Sequence, residues 1–337
     1  MTETVGLPRV SAPLPWQAQD WLHLNQQLAN KQMPHALLLA GTQYTGKSRL
    51  ALALARLLLC HKPSAGLNCG HCHACELSAN GSHGDFRWLE PEGKSRVIKI
   101  DQVRSVVEFA NKTASFGQRK VIVLAPADSM NVNAANALLK SLEEPAADTY
   151  LLLVCHRLSG VPATIRSRCQ MVKLAVPDRQ QSLAWLDQAT ADRTDSEKLL
   201  ILADERPLLA EQLFRNDGAE DLARLRLGLQ GLLAGRVSVP EAGALFAEAG
   251  VEAFLSQLVA ELQVMLRGLP RQQLASKEAR AVFLLLDEVL QLQRAVSAGA
   301  NPNRQFVVDA LLAKFQRELG YGQLGDKIQQ AIGDVHV

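Results

Sequence analysis

The stretch Gly41-Thr-Gln-Tyr-Thr-Gly46-Lys47-Ser48 decides the fold of the first half of this chain. Two glycines with four residues between them, followed by Lys-Ser, form the pattern of a phosphate-binding loop. Glycines let backbone N–H groups turn toward phosphate oxygens, and the N-terminus of the following helix adds positive potential. In such a loop Lys47 can reach the terminal phosphates and Ser48 can ligate magnesium. The alternative is a Gly-Lys-Ser turn that only caps a helix.

The residues on either side of the loop predict the two elements that such a loop needs. Residues 36–40, Ala-Leu-Leu-Leu-Ala, predict a buried strand before it. Apolar residues between Leu50 and Leu58 follow the spacing of one helix face after it. Because both elements are present, the sequence favours nucleotide binding over a simple helix cap. Further strands are predicted at 121–124 and 150–154, with weaker candidates at 87–90 and 171–174.

Helical patterns alternate with these strands. One helix is predicted to begin with Asp101 as its N-cap, and another spans residues 135–142 and stops before Pro145. Strands that alternate with helices indicate a three-layer α/β domain with a parallel sheet. After about Pro177 the chain is Leu/Ala-rich and predicts helices only. Among them, residues 281–290 are apolar on almost every side, which predicts a largely buried helix.

The bulk composition narrows the classes of protein. The 337 residues suffice for two or three domains, and 36 Lys+Arg against 34 Asp+Glu give a net charge of +2. So small a charge argues against a strongly basic nucleic-acid binder, and any DNA contact is expected to be local or shared with partners. No apolar run reaches the roughly 18 residues of a membrane span, and residues 1–9 lack a secretion signal. We therefore expect a cytoplasmic protein.

Four of the six cysteines form a cluster with the spacing x8, x2 and x2: Cys60, Cys69, Cys72 and Cys75. In a chain without a secretion signal, this clustering favours a metal site over disulfides. Four thiolates can surround one zinc ion and leave no open position, so the zinc is predicted to be structural. Three nearby histidines are alternative ligands: His61, His71 and His73. An iron–sulfur site and a set of free or redox-active cysteines are further alternatives.

Hydrolysis of a bound nucleotide needs more than the loop. A later strand is expected to end in an acidic residue that holds magnesium, with a second acid that positions water. The predicted strand at 121–124 is followed instead by Ala125 and Pro126. Asp128 lies past the proline, where capping a turn or helix is the favoured role and binding the metal is the alternative. We therefore expect little or no hydrolysis by the isolated chain.

Two further motifs follow. Residues 136–145, Asn-Ala-Leu-Leu-Lys-Ser-Leu-Glu-Glu-Pro, combine core positions with three charged residues, Lys140, Glu143 and Glu144. For these three, a solvated face and a functional role are equally supported. Ser167-Arg168-Cys169 comes just before the strand candidate at 171–174. From its chemistry alone, Arg168 is more simply a surface arginine than a catalytic group.

Taken in order, these motifs resemble the clamp-loader branch of the AAA+ superfamily. The resemblance is specific from about residue 15 to about residue 175, and His35-Ala-Leu-Leu-Leu carries it together with the motifs above. It implies a ring of five subunits in which Arg168 is an arginine finger that acts on the ATP of a neighbouring subunit. It also implies three domains: an AAA+ α/β domain over 1–176 with a zinc module at 60–75, a helical lid over 177–217 and a helical collar over 218–337.

Departures from the family pattern indicate the type of subunit. In the motor subunits gamma and tau, Asp-Glu stands where this chain has Ala125 and Pro126. The arginine with which their lid senses nucleotide aligns with Leu208, with Arg206 shifted, and Cys155 falls where a polar sensor residue is expected. A chain that keeps the finger but lacks the hydrolytic acids resembles the delta-prime subunits of bacterial DNA polymerase III.

The resemblance also implies the partners and cofactors. The expected partners are the gamma/tau motor subunits and delta, with DNA and the sliding clamp reached through the complex and no membrane involved. Zinc is the expected structural cofactor, and the intact loop leaves ATP binding open, as weak or absent. One rival is an independent P-loop enzyme, against which Ala125 and Pro126 argue. The other is a zinc-dependent DNA-binding module, against which the small net charge argues.

Overall fold

The structure, a computed structural model, describes residues 8–93, 95–116, 119–191, 195–216, 219–246, 250–297 and 300–319. Within those ranges, five strands form one sheet in the order β2-β3-β4-β1-β5, and every neighbouring pair is parallel. The strands are β1 (Ala36–Ala40), β2 (Phe86–Leu89), β3 (Lys120–Leu124), β4 (Thr149–Cys155) and β5 (Gln170–Lys173). The predicted parallel α/β fold is confirmed, and the continuous apolar runs become the fully buried central strands.

Helices cover both faces of the sheet. They are α1 (Ala18–Ala29), α2 (Lys47–Leu59), α3 (His73–Ala79), α4 (Ile100–Asn111), α5 (Val132–Glu143), α6 (Ala163–Arg166) and α7 (Arg179–Thr190). Alternate residues of β1 enter opposite cores: Leu37 and Leu39 pack with the apolar residues of α2, and Ala36 and Leu38 with those of α4 and α5. Because successive strand residues point to opposite faces, the sheet is the middle layer of three.

The start of α4 differs from the prediction. The helix begins at Ile100, so Asp101 lies in its first turn and Lys99 is the N-cap. Gln102 is the third residue of the helix, and its side-chain oxygen accepts a hydrogen bond from the backbone N–H of Lys99 at 2.9 Å. The backbone N–H of the N-cap residue is thereby paired. The aspartate still favours the helix, because negative charge near the N-terminus complements the helix dipole.

The chain divides into two units, which are described separately. The first comprises Met1–Thr194 and Glu205–Glu211, and the second Asp195–Asp204 and Gln212–Val337. The remaining helices are α8 (Ser196–Leu202), α9 (Pro207–Arg215), α10 (Ala219–Leu233), α11 (Val239–Leu245), α12 (Val251–Gly268), α13 (Lys277–Ser297) and α14 (Arg304–Leu319). Residues of the predicted lid, 177–217, contribute to both units, and residues 217 and 218 lie outside the described ranges. The bounds of the three predicted domains stay a prediction.

The second unit is a helical bundle with its own apolar core, drawn from α10 to α14. It also contains a buried ion pair, in which Arg226 lies 2.6 Å from Glu261. Burial raises the pKa of the Glu261 carboxyl, and the charge of Arg226 opposes that shift. The prediction that residues 281–290 are largely buried is wrong in part. Phe283 is 47% and Leu284 63% exposed, because the apolar side chains on the opposite face of α13 already fill the core.

No helix among the described residues is both long and apolar enough to cross a membrane.

Candidate functional site

The phosphate loop lies between β1 and α2, at the carboxyl end of the sheet. Its first glycine is tied to the neighbouring strand, since the Gly41 N–H donates to the Cys155 carbonyl at 3.3 Å. Gly46 is the N-cap of α2 and has a φ of 88°, in the left-handed region that favours glycine. A Cβ atom there would also lie 2.2 Å from Leu14 Cδ1. Two independent constraints therefore require glycine at this position.

The structure brings the predicted loop residues together. Lys47 is the first residue of α2 and is 1% exposed, and its ammonium group donates to the Thr42 carbonyl within the loop. Ser48 follows it at the start of the helix and is partly buried. The Thr45 hydroxyl donates to the same Thr42 carbonyl at 2.8 Å. The loop is thus folded around a buried cation at a helix N-terminus, the arrangement that binds phosphate.

Residues that the sequence argument missed lie against the loop. The Trp16 Nε1–H donates to the Thr45 carbonyl at 3.0 Å, and the Gln17 side-chain amide donates to the same oxygen at 3.2 Å. The ring of Trp16 also meets that of Trp185 edge to face at 5.6 Å. The Arg206 guanidinium lies 5.8 Å from the ring centre of Tyr44, within the loop. Of these contacts, the sequence indicated only that of Arg206, through its position near the expected sensing arginine.

The side chain at the aligned lid position is apolar. Leu208, where the motor subunits carry their sensing arginine, is 3% exposed in α9. A buried leucine cannot donate a hydrogen bond to a phosphate. Arg206, two residues earlier in the chain, has its guanidinium near Tyr44 of the loop.

The expected acidic residues are missing at the end of β3. The strand ends at Leu124, and Ala125 and Pro126 carry no carboxylate. Asp128 lies in the short 3₁₀ turn that follows and faces the end of β4. Its carboxylate accepts the backbone N–H of His156 at 2.9 Å and lies 3.5 Å from Arg157 Nε. These contacts fit the structural role that the sequence favoured for Asp128.

Cys155, the last residue of β4, and His156, which follows it, are both uncharged. Cys155 is fully buried, and burial raises the pKa of its thiol to about 12. Burial also lowers the pKa of His156 to about 4, with a further contribution from the positive charge of Lys47. A neutral thiol and a neutral imidazole therefore stand beside the loop at neutral pH, and neither replaces the missing carboxylates.

The second site is the cysteine cluster. Cys60 follows α2 directly, Cys72 is the N-cap of α3 and Cys75 lies within that helix. The four sulfur atoms of Cys60, Cys69, Cys72 and Cys75 all lie within 4.8 Å of one another. The Cys60–Cys72 and Cys69–Cys75 sulfur pairs are each 3.9 Å apart. A tetrahedron with metal–sulfur bonds of about 2.3 Å has edges of about 3.8 Å, so the cluster can hold one metal ion.

Neighbouring N–H groups point at these sulfurs. Cys60 Sγ accepts the backbone N–H of Cys69 at 3.3 Å, and Cys69 Sγ accepts that of Cys72 at 3.4 Å. The Asn68 side chain donates to Cys75 Sγ at 3.4 Å. Gly70 permits the turn, with a φ of 77°. Such outer contacts orient and stabilise metal-bound thiolates.

The three nearby histidines take other positions. The His71 ring lies 2.8 Å from the Cys69 carbonyl, and His73 packs edge to face on Phe116. Among the described residues, the grouped ligands are the four cysteines and include no histidine.

Arg168 lies between α6 and β5 and is partly exposed. Its guanidinium forms an ion pair with Glu143, the last residue of α5, at 2.5 Å. The segment 136–145 and the Ser-Arg-Cys motif, separate in sequence, therefore meet in the fold.

Comparison with known proteins assigns the family. A protein from Pseudomonas aeruginosa, "DNA polymerase III subunit delta'", is 37% identical over 331 residues, which cover 91% of this chain and 98% of that protein. This chain belongs to the DNA polymerase III subunit delta' family. Another delta' protein, from Escherichia coli K12, is 36% identical over 204 residues, 60% of this chain and 61% of that protein. The family described as "DNA polymerase III, delta subunit" matches residues 16–178.

A solved structure supports the fold of this delta' family member. The gamma subunit-related protein of DNA polymerase III from Thermotoga maritima aligns with 88% of this chain and 99% of that one, at a TM-score of 0.50 and 20% identity. At that identity the likeness concerns the fold alone. The resemblance to the delta-prime subunits and the AAA+ type of fold, both inferred from the motifs, are confirmed.

Proposed function

We propose that this chain is the delta' subunit of a clamp loader, that it does not hydrolyse ATP itself, and that it supplies Arg168 to the ATP site of a neighbouring motor subunit. The proposal rests on the presence of Arg168 together with the absence of the acidic residues that hydrolysis needs. Arg168 follows α6 at the surface, while Ala125 and Pro126 stand where magnesium-holding acids are needed. Such a chain can stabilise charge in another subunit's reaction but lacks the groups for its own.

Arginine suits this role for a physical reason. Its planar guanidinium makes paired hydrogen bonds to phosphate oxygens and keeps its charge throughout the reaction. A finger of this kind stabilises the charge that develops at the γ-phosphate. The position of Arg168, partly exposed at the carboxyl side of α6, is compatible with contact to a second subunit.

The cysteine cluster supports a structural zinc ion. Four thiolates occupy all positions of a tetrahedral ion, so a water or substrate ligand has no place. The sulfur separations of 3.9 Å and the N–H groups aimed at the sulfurs both favour this role. Zinc would join the end of α2 to α3 in a segment that is too short to form a core.

The proposed partners are the gamma/tau motor subunits and delta, with the clamp and primed DNA reached through the assembly. Exposed apolar side chains in the second unit, Phe283 and Leu284 of α13 and Phe306 of α14, support an interface with other subunits. The net charge of +2 favours shared over independent DNA binding.

Reconstitution with the motor and delta subunits of the same organism tests the proposal. We expect a complex of fixed stoichiometry, measured by size exclusion with mass determination, that loads the clamp onto primed DNA. Leaving out this chain is expected to abolish loading. Absence of a complex, or full loading without this chain, would refute the proposed function. Steady ATP turnover by the purified chain alone would refute its non-hydrolysing part.

A further inference from the structure

Arg168 is held by its own subunit. Its Nε donates to Glu143 Oε1 at 2.7 Å, and its Nη2 lies 2.5 Å from the same oxygen. Its Nη1 donates to the Thr164 carbonyl at 2.9 Å and to the Ser167 hydroxyl at 3.3 Å. In this arrangement the guanidinium contacts the end of α5 and the end of α6.

These contacts limit what the guanidinium can offer to a phosphate. A guanidinium has five N–H groups: one on Nε and two on each Nη. Glu143 engages the Nε group and one group of Nη2. Thr164 and Ser167 engage the two groups of Nη1. Paired hydrogen bonds to phosphate oxygens need two N–H groups on the same side. In this position the arginine can present only one, so the bond to Glu143 must open before the finger engages fully.

We infer that Glu143 is a positioning residue that holds Arg168 away from phosphate and competes with it for the guanidinium. The inference rests on the proposed role of Arg168 as a finger. Both side chains are partly exposed, 34% for Arg168 and 49% for Glu143, so the pair is weak and easily exchanged. A phosphate carries more charge than one carboxylate and displaces it once the neighbouring site is correctly placed.

The competition predicts a direction of change. Glu143→Gln removes the charge but keeps the size of the side chain, so Arg168 is freed for phosphate in complexes that DNA has not yet activated. We expect ATP hydrolysis by the assembled complex without DNA to rise roughly 2- to 5-fold, the range that an exposed ion pair can supply. The DNA-stimulated rate should change little, because the finger is already engaged there. The ratio of the DNA-stimulated to the basal rate of ATP hydrolysis should therefore fall.

The test uses the reconstituted complex with Glu143→Gln, Arg168→Ala and the double variant. Glu144→Gln is the matched control, because Glu144 is an exposed glutamate next in sequence, at the C-cap of α5. The inference requires a raised basal rate in Glu143→Gln only, no effect of the same change in the Arg168→Ala background, and a return toward the wild-type ratio in Glu143→Asp.

Three results would overturn the inference. These are an unchanged or lowered basal rate in Glu143→Gln, an equal rise in Glu144→Gln, and a rise that persists without Arg168. If Arg168→Ala impairs the complex while Glu143→Gln has no effect, the inference fails and the proposed function stands. If Arg168→Ala has no effect, the proposed function itself fails.

Discussion

The indole N–H of Trp16 donates to the carbonyl of Thr45 at 3.0 Å, which joins the segment before α1 to the phosphate loop. Gln17 donates to the same carbonyl, and Leu14 packs on Gly46. Any nucleotide that reorganises the loop must therefore change the surroundings of a tryptophan. We therefore expect tryptophan fluorescence to report on any nucleotide that binds at this loop.

We predict that ATP binds the isolated chain weakly, with saturation of the tryptophan signal only at about 0.1 mM or above, and without turnover. The loop supports binding, and Ala125 and Pro126 leave magnesium without its acidic ligand. Fluorescence titration with Mg·ATP and a phosphate-release assay measure the two parts.

Two variants distinguish a loss of nucleotide binding from a loss of the tryptophan signal. Lys47→Ala should remove binding, since it deletes the buried cation, whereas Trp16→Phe should reduce the signal while a labelled nucleotide still binds. Saturation at submicromolar ATP would contradict weak binding, and hydrolysis that Lys47→Ala abolishes would show that the chain is an ATPase in its own right.

We predict about one zinc ion per chain, lost in Cys72→Ser. Removing one of four ligands opens the site, and the segment from Cys60 to Cys75 then loses the ion that organises it. We expect the free energy of unfolding of the first unit to fall by about 2–5 kcal/mol. Elemental analysis gives the metal content, and urea unfolding followed by fluorescence gives the stability.

Cys169→Ser is the control, because Cys169 stands apart from the cluster. It should keep the metal. Freshly purified wild-type protein without zinc would contradict the assignment, and iron in its place would revive the iron–sulfur alternative. ATP affinity that stays unchanged in Cys72→Ser agrees with a structural role.

We predict that His156 makes the first unit less stable in mild acid. Its pKa is about 4 in the folded chain, lowered by burial and by the positive charge of Lys47, against an ordinary value of 6.5. Between these values the unfolded chain binds the proton and the folded chain does not, so stability falls as pH drops through this window. The slope is at most about 1.4 kcal/mol per pH unit.

Urea unfolding at several pH values from about 7 to about 4 measures this slope. The four tryptophans, Trp16, Trp21, Trp88 and Trp185, all belong to the first unit, so fluorescence reports on it. His156→Gln should lose less stability on acidification than the wild type, and His23→Gln, at an exposed position of α1, should behave like the wild type. An equal decrease of the free energy of unfolding with falling pH in His156→Gln and the wild type would contradict the prediction.

The sheet was largely predictable from the sequence, because strands buried on both faces need continuous apolar runs. The run at 36–40 is β1 itself, and those at 121–124 and 150–154 fall within β3 and β4. The ligand cluster was predictable for a similar reason, since short spacings in sequence keep the four sulfurs together.

Contacts between distant segments were not predictable. The approach of Glu143 to Arg168 and of Arg206 to Tyr44 depends on how helices pack, and residue type alone does not encode it. We predicted that Phe283 and Leu284 are buried because apolar side chains usually lie in a core, yet both are exposed. Obligate interfaces between subunits resemble a domain core in composition, so residue type alone does not distinguish the two.

We propose that Arg168 acts on a neighbour's ATP, and Arg168→Ala in the reconstituted complex is the most direct test of this role. Fingers in other systems are worth roughly 10³–10⁵ in rate at one site. In a ring with several sites, we therefore expect DNA-stimulated hydrolysis to fall by about one site's share and clamp loading roughly tenfold or more. Folding, zinc content and assembly should be unchanged.

Arg168→Lys should rescue poorly, because a single ammonium group cannot reproduce the planar pair of donors. Arg104→Ala is the matched control, since Arg104 is an exposed arginine of α4 in an ion pair with Asp101 at 3.5 Å. We expect the complex with Arg168→Ala to assemble normally yet load clamps slowly, while the Arg104→Ala complex loads at the wild-type rate. Clamp loading at the wild-type rate by a fully assembled Arg168→Ala complex would contradict it.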